Sequence, residues 1–177
     1  MAAQKIILVV APSGFQDDEY RLTREELEHA HHDIVVASVK IDQAIGKFGS
    51  NISVDLALSD LNLDDCTALV FIGGPGAEIY KTDPVALDLV SRAMAKNKIL
   101  GAICIAPLIF AHAGILDGKK ATVWTDEGVN STARELEQFG AIYTGEAVAI
   151  DGQIITADGP SSASAFGRAI VKALAVI

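Results

Sequence analysis

The stretch KILGAICIAPLIFAHAG, residues 98–114, decides the fold. Its first part, KILGAIC (98–104), is an almost unbroken apolar run of strand length, as expected of a strand covered on both faces. Its second part, IAPLIFAHAG (105–114), is apolar enough for a buried helix and ends at Gly114, a residue suited to a helix C-terminus. No polar spacer separates the two, so the chain must turn sharply from strand to helix at Cys104. Such an elbow presents a side chain at the edge of an α/β sheet.

Working outward, apolar β-branched runs alternate with segments of helical period, the pattern of a mostly parallel sheet wrapped by helices. KIILVVA (5–11) reads as a first strand, and DDEYRLTREELEHA (17–30) as a helix with acidic residues in its first turn. DIVVASV (33–39) reads as a second strand. Residues 40–58, with Gly46 and Gly49 among short alternating runs, predict a β-excursion at the sheet's edge. TALVFIGG (67–74) is a central strand and PVALDLVSRAMAKN (84–97) a helix opened by Pro84. Beyond the elbow, KATVW (120–124) predicts a short strand and STARELEQFG (131–140) a capped helix. EAVAIDGQIITA (146–157) predicts a hairpin around Asp151-Gly152, and SSASAFGRAIVKALAVI (161–177) a closing helix. No repeat or linker interrupts this order, so residues 1–177 are expected to form one domain.

The chain has 177 residues, 50% hydrophobic and 21% charged, which suits a globular domain with a full core. No apolar run reaches the roughly 18 residues of a membrane span, and the N-terminus lacks the pattern of a signal peptide, so the expected setting is soluble and cytoplasmic. A net charge of -9 and a pI near 4.8 argue against nucleic acid or an anionic membrane as partner. Cys66 and Cys104 are far apart and form no CxxC pair, so neither a disulfide framework nor a zinc site is indicated.

Cys104 at an elbow has two readings. A thiol at a helix start is favoured as thiolate and becomes reactive, whereas a free cysteine is otherwise often a small buried apolar residue. Cys66 lacks both elbow and helix start and reads as structural. GGPGAE (73–78) follows a central strand, where its amides, with that of Ile105, would hold an oxyanion near the sulfur; the alternative is a tight turn and nothing more. GGPGAE matches neither a dinucleotide nor a P-loop pattern, so nucleotide binding is unsupported. Asp17, Asp18 and Glu19 follow the first strand and reach the same sheet edge. A protonated carboxyl there would steady a thiolate, an ionised one would oppose it, and all three acids also favour a helix N-terminus. His112 lies two turns into the elbow helix, too far to touch Cys104. His29, His31 and His32 sit at a helix end rather than in a metal-binding pattern.

The first strand with DDEY, VFIGGPGAE (70–78), GAICIAP (101–107), AHAGILDGKKATVW (111–124) and DGPSSASAFGRAIVKAL (158–174) together resemble the ThiJ/PfpI superfamily, which includes the Parkinson-associated protein deglycase and archaeal PfpI-type proteins. The resemblance spans nearly the whole chain. It implies a flavodoxin-like three-layer α/β sandwich of the kind shared with class I glutamine amidotransferases, and a homodimer or higher homo-oligomer. By position, it makes Cys104 the reactive cysteine, Glu19 its hydrogen-bonding and normally protonated carboxyl group, and Gly74 and Ile105 the amides of the oxyanion pocket. Glu78 matches an acid that in PfpI-type oligomers completes a neighbouring subunit's site.

Three departures narrow the chemistry. Ile105 and Trp124 stand where two branches of the superfamily place a histidine, so no Cys-His-acid arrangement remains and proteolysis is disfavoured. Asp158 replaces an arginine in DGP. The His-x-Glu of glutamine amidotransferases has no counterpart. The resemblance then implies a cofactor-free glyoxalase- or deglycase-type enzyme. Cys104 adds to a methylglyoxal-like aldehyde, or acts on a glycated substrate, while Glu19 moves a proton. The alternative is a non-enzymatic redox sensor or stress-protective protein that works through oxidation of Cys104 in oxidative stress.

Overall fold

The computed structural model describes residues 3–126 and 130–176. Strand β1 (Lys5–Val9) leads through the short β2 (Ser13–Phe15) to helix α1 (Asp17–His29) and β3 (Asp33–Ser38). Three short strands follow, β4 (Gln43–Gly46), β5 (Asn51–Ser53) and β6 (Leu56–Ala57). After them come β7 (Ala68–Phe71), a 3-10 turn (Pro75–Lys81), α2 (Pro84–Ala95), β8 (Ile99–Ile103) and α3 (Pro107–His112). The chain closes with β9 (Lys120–Ala121), α4 (Ser131–Gln138), β10 (Ile142–Tyr143), β11 (Val148–Asp151), β12 (Ile154–Ala157) and α5 (Ala163–Leu174).

The main sheet has seven strands in the order β11-β12-β8-β7-β1-β3-β6, all neighbours parallel except the β11–β12 hairpin. This is the expected α/β architecture. Strand period decides which helix each side chain meets. In β1, Ile7 and Val9 enter a core shared with α2 and α3, while Ile6 and Leu8 enter the one shared with α1 and α5. In β7, Leu69 and Phe71 divide from Ala68 and Val70 in the same way. Both faces are therefore buried, which is why these strands read as continuous apolar runs. At about 1.5–3 kcal/mol for each large apolar side chain removed from water, the two cores hold the sheet edge that carries the elbow. Gly101 sits at the contact with α5, since a Cβ there would lie 3.0 Å from Phe166 Cζ and 3.2 Å from Ile170 Cδ1.

Several boundaries differ from the sequence reading. The excursion does end in an edge strand, β6, but β4 and β5 join β2 in a separate three-stranded sheet. Only Lys120 and Ala121 of KATVW form a strand, and it pairs with β10 outside the main sheet. In the hairpin, Asp151 still pairs with Ile154, so the turn is Gly152-Gln153, with Gly152 supplying φ +60°. The residue ahead of α4 is Asn130, whose side chain forms no capping bond. The closing helix begins at Ala163 after a 3-10 turn, because Pro160 and the extended Gly159 set the chain direction first; Ile177 lies outside the described residues. No helix among those residues is long and apolar enough to cross a membrane.

Candidate active site

The strand order reverses between β3 and β7 on the two sides of β1, and crevices at such points open beyond the carboxyl ends of the strands. β8 delivers Cys104 to that edge. Its φ of +64° is a left-handed value that a residue with a side chain holds only when its surroundings enforce it. They do so here: Cys104 N donates to Ala157 O at 2.9 Å, and Cys104 O accepts from Trp124 N at 2.8 Å. The elbow is thus tied on both sides. The helix itself begins only at Pro107 and has six residues, so the thiol stands before α3 rather than on its first turn.

Glu19 is brought to the same place by α1. Gln16 caps that helix, its side chain accepting from Glu19 N at 2.9 Å while its own amide donates to Gly73 O at 2.9 Å. The Glu19 carboxyl is fully buried. Oε2 accepts from Gly73 N at 2.9 Å, and Oε1 has no hydrogen-bond partner. Gly73 is a requirement of space. A Cβ there would lie 2.5 Å from Cys104 Cβ and 2.6 Å from Glu19 Oε2, so only glycine lets thiol and carboxyl approach. Gly74, at φ +99°, is equally constrained, since its Cβ would lie 2.5 Å from both Gln16 N and Gly14 O. The backbone amides of Gly74 and Ile105 act on the Cys104 sulfur by favouring its ionised form. The paired glycines therefore make more than a turn.

Burial governs the electrostatics. It pushes Glu19 up to about 7, against the pull of the Cys104 thiol, the Gly73 amide and the Lys47 charge. It also pushes Cys104 up to about 12, helped by the Glu19 charge and opposed by the amides of Gly74 and Ile105. This corrects the expectation of a thiol acidified by a helix start: α3 is short and begins too late, and desolvation outweighs it. The two groups hold at most one negative charge between them near neutral pH, because an ionised Glu19 opposes the thiolate beside it. When Glu19 is protonated its opposing charge is gone, and the two amides are left to favour the sulfur anion.

The other two acids of the DDE run go elsewhere. Asp17 accepts from Phe48 N and Ser50 N, both at 2.8 Å, and so ties down the 46–50 turn, while Asp18 pairs with Arg21 in solvent. That turn carries Lys47 and Phe48 into the wall of a cavity of about 410 Å³ beside Cys104, together with Gln16, Pro75, Ile105, Trp124 and Pro160. The two positions at which the resemblance placed histidine, Ile105 and Trp124, both line it, and no histidine among the described residues does. Asp158 accepts from Ser162 Oγ at 2.5 Å and lines a neighbouring cavity that shares Trp124 and Pro160 with the first.

The remaining candidates lie apart. Glu78 is half exposed and pairs with Lys81 at 3.0 Å, outside the cavity of its own chain. Lys81 also pairs with Glu135 at 2.8 Å, and Glu135 in turn meets His112 Nε2 at 2.8 Å; the His112 ring stacks on Phe139, giving it a packing role. His29 and His31 are exposed, while His32 is buried and accepts from Gln4 N. Cys66 is buried, its thiol directed to Leu63 O and pushed up by burial, as a structural cysteine would be. Sequence reasoning missed Gln16, Lys47, Phe48 and Pro160. Gln16 caps α1, but glutamine is not among the residue types that mark an N-cap, so its place was not legible. Nothing in the sequence ties the Gly46–Gly49 turn to Cys104.

The comparisons agree with the fold. An uncharacterized protein of Methanocaldococcus jannaschii is 37% identical over 175 residues, covering 98% of this chain and 84% of that one. A protein named deglycase from Thermococcus kodakarensis is 28% identical over 168 residues, covering 95% and 98%. Among solved structures, a ThiJ/PfpI domain protein from Brachyspira murdochii superposes with a TM-score of 0.93 at 28% identity, covering 100% of this chain and 99% of that one. The pattern of the DJ-1/PfpI family matches residues 4–173, and the chain belongs to that family.

Proposed function

We propose that the protein is a cysteine-dependent enzyme of glyoxalase or deglycase type acting on methylglyoxal-like aldehydes or their adducts. The observation that carries this reading is the strained elbow that holds Cys104 against a buried carboxyl with one unpartnered oxygen. A carboxyl near pH 7 is matched to general-base work at neutral pH. Glu19 takes the thiol proton as Cys104 Sγ bonds to the aldehyde carbon. The carbonyl electron pair moves to oxygen, beside the amides of Gly74 and Ile105, and that oxygen then receives the proton, giving a hemithioacetal. With an α-oxoaldehyde, Glu19 next moves the proton on C1 to C2 through an enediol, which leaves a hydroxyacyl thioester. Water cleaves the thioester to hydroxyacid and thiol. No step calls for histidine, metal or another cofactor, and one domain suffices.

The name deglycase borne by the Thermococcus relative supports the same class of substrate. In this reading the protein works in the cytoplasm as a homodimer or larger homo-oligomer, with Glu78 completing a partner's site. The test is lactate formation from methylglyoxal by the purified protein. Lactate above the level of a Cys104→Ala control is expected, and equal levels would refute the proposal. The unpartnered Glu19 Oε1 also favours a second reading, a redox sensor, since it could take a hydrogen bond from a sulfenic acid on Cys104. Mild peroxide followed by mass spectrometry tests it: a sensor must gain oxygen at Cys104 and leave Cys66 unmodified.

A further inference from the structure

The cavity beside Cys104 carries a cation that hemithioacetal chemistry does not use. Its walls are mainly apolar, with Phe48, Pro75, Ile105 and Trp124, and Lys47 is the one charged lining residue among the described residues. Lys40, Lys81, Lys96 and Lys119 are paired with carboxylates, whereas Lys47 forms no ion pair among the described residues. Its ammonium lies 5.3 Å from the centroid of the exposed Phe48 ring.

The turn that presents it is fixed. Lys47 N donates to Phe15 O and Gly46 N to Ser50 O, both at 2.7 Å, and Asp17 holds the next amides. Gly46 packs so closely on Asp17 that a Cβ would lie 2.3 Å from Oδ1. An exposed cation with no ion-pair partner among the described residues is thus carried by a fixed backbone turn in the wall of an apolar cavity, in a protein of net charge -9. Apolar walls reduce screening and focus such a charge on whatever enters. Its field already reaches the site, where it favours the ionised form of Glu19.

We infer that Lys47 binds an anionic group of the substrate, so that the pocket takes small aldehydes bearing a carboxylate or phosphate in preference to neutral ones. This rests on Cys104 as the group that meets the aldehyde, but not on turnover.

The test compares two alkylating agents of similar size, iodoacetate and iodoacetamide, by their rates at Cys104 read by mass spectrometry. Replacing Lys47 with glutamine should lower the iodoacetate-to-iodoacetamide rate ratio about five-fold, the size expected of one partly screened charge. Lys47→Arg should keep the wild-type ratio. An unchanged ratio in Lys47→Gln overturns the inference. Protection of Cys104 from iodoacetamide then identifies the anion. Glyoxylate protecting at lower concentration than glyoxal points to a carboxylate, and glyceraldehyde 3-phosphate outdoing glyceraldehyde points to a phosphate. Failure of both pairs also overturns it. If the ratio falls but methylglyoxal yields no lactate, the enzyme reading fails and the anion preference stands. Lactate with an unchanged ratio upholds the enzyme and removes the anion preference.

Discussion

Replacing Glu19 with glutamine should change how the stability of this protein depends on pH. In the folded chain the carboxyl is pushed from an ordinary 4.5 up to about 7. A group whose folded value is raised in this way binds more protons folded than unfolded between those limits. For an acid this means that folding is penalised as the group ionises, so the penalty is absent below about 4.5 and complete above about 7. A rise of about 2.5 pH units at about 1.4 kcal/mol each corresponds to about 3 kcal/mol. Glu19 is fully buried, so solvent screening removes little of this. The glutamine oxygen can still accept from Gly73 N, and the amide nitrogen takes the place of the unpartnered Oε1. Carboxylates held low by their partners, among them Asp17, Asp151 and Glu135, act in the opposite direction but are common to both proteins. Urea unfolding of both from pH 4 to 8.5 isolates the Glu19 contribution. The stability of Glu19→Gln relative to wild type should rise by about 3 kcal/mol over that range, with most of the change between pH 4.5 and 7. A difference that is flat with pH, or that falls, would refute the assignment of Glu19 as a desolvated acid.

The same substitution removes the carboxylate charge facing the sulfur, so the Cys104 thiol should ionise at lower pH than in wild type, read by thiolate absorbance in a Cys66→Ala background. Gly73→Ala drives a Cβ into the gap between Cys104 and Glu19 and should cost about 2 kcal/mol in thermal or urea unfolding, together with the loss of any Cys104-dependent turnover. Asp17→Ala leaves the amides of Phe48 and Ser50 without their acceptor. Hydrogen exchange at those two amides should speed up at least ten-fold while that of β7 and β8 stays protected, and the overall cost should be about 2 kcal/mol.

Much of the fold was legible because strand period and helix period are local properties. The apolar runs of β1, β7 and β8 reported their two-sided burial directly, and Gly114 and Pro84 marked helix ends through their own backbone preferences. Short pairings were less legible. Two residues of KATVW form a strand because β10 lies beside them, and that partner is 22 residues away in sequence. The elbow could be inferred because KILGAIC runs into its helix without a spacer. With the resemblance, that was enough to bring Cys104, Glu19, Gly74 and Ile105 together, as the structure does.

The sequence by itself determined the layered α/β sheet, the sharp turn at Cys104 and the missing histidines, since each depends on residue identity and near neighbours. Tertiary structure alone decided the state of the thiol and the character of its pocket. Burial, a quantity set by every element packed around the site, moves the ionisation of both Cys104 and Glu19 to higher pH, by more than the helix start can offset. It also sorted the DDE run, sending Glu19 inward to the sulfur and Asp17 to the turn that carries Lys47. Three adjacent acids look alike in a sequence, and the direction each faces is fixed only when the helix packs.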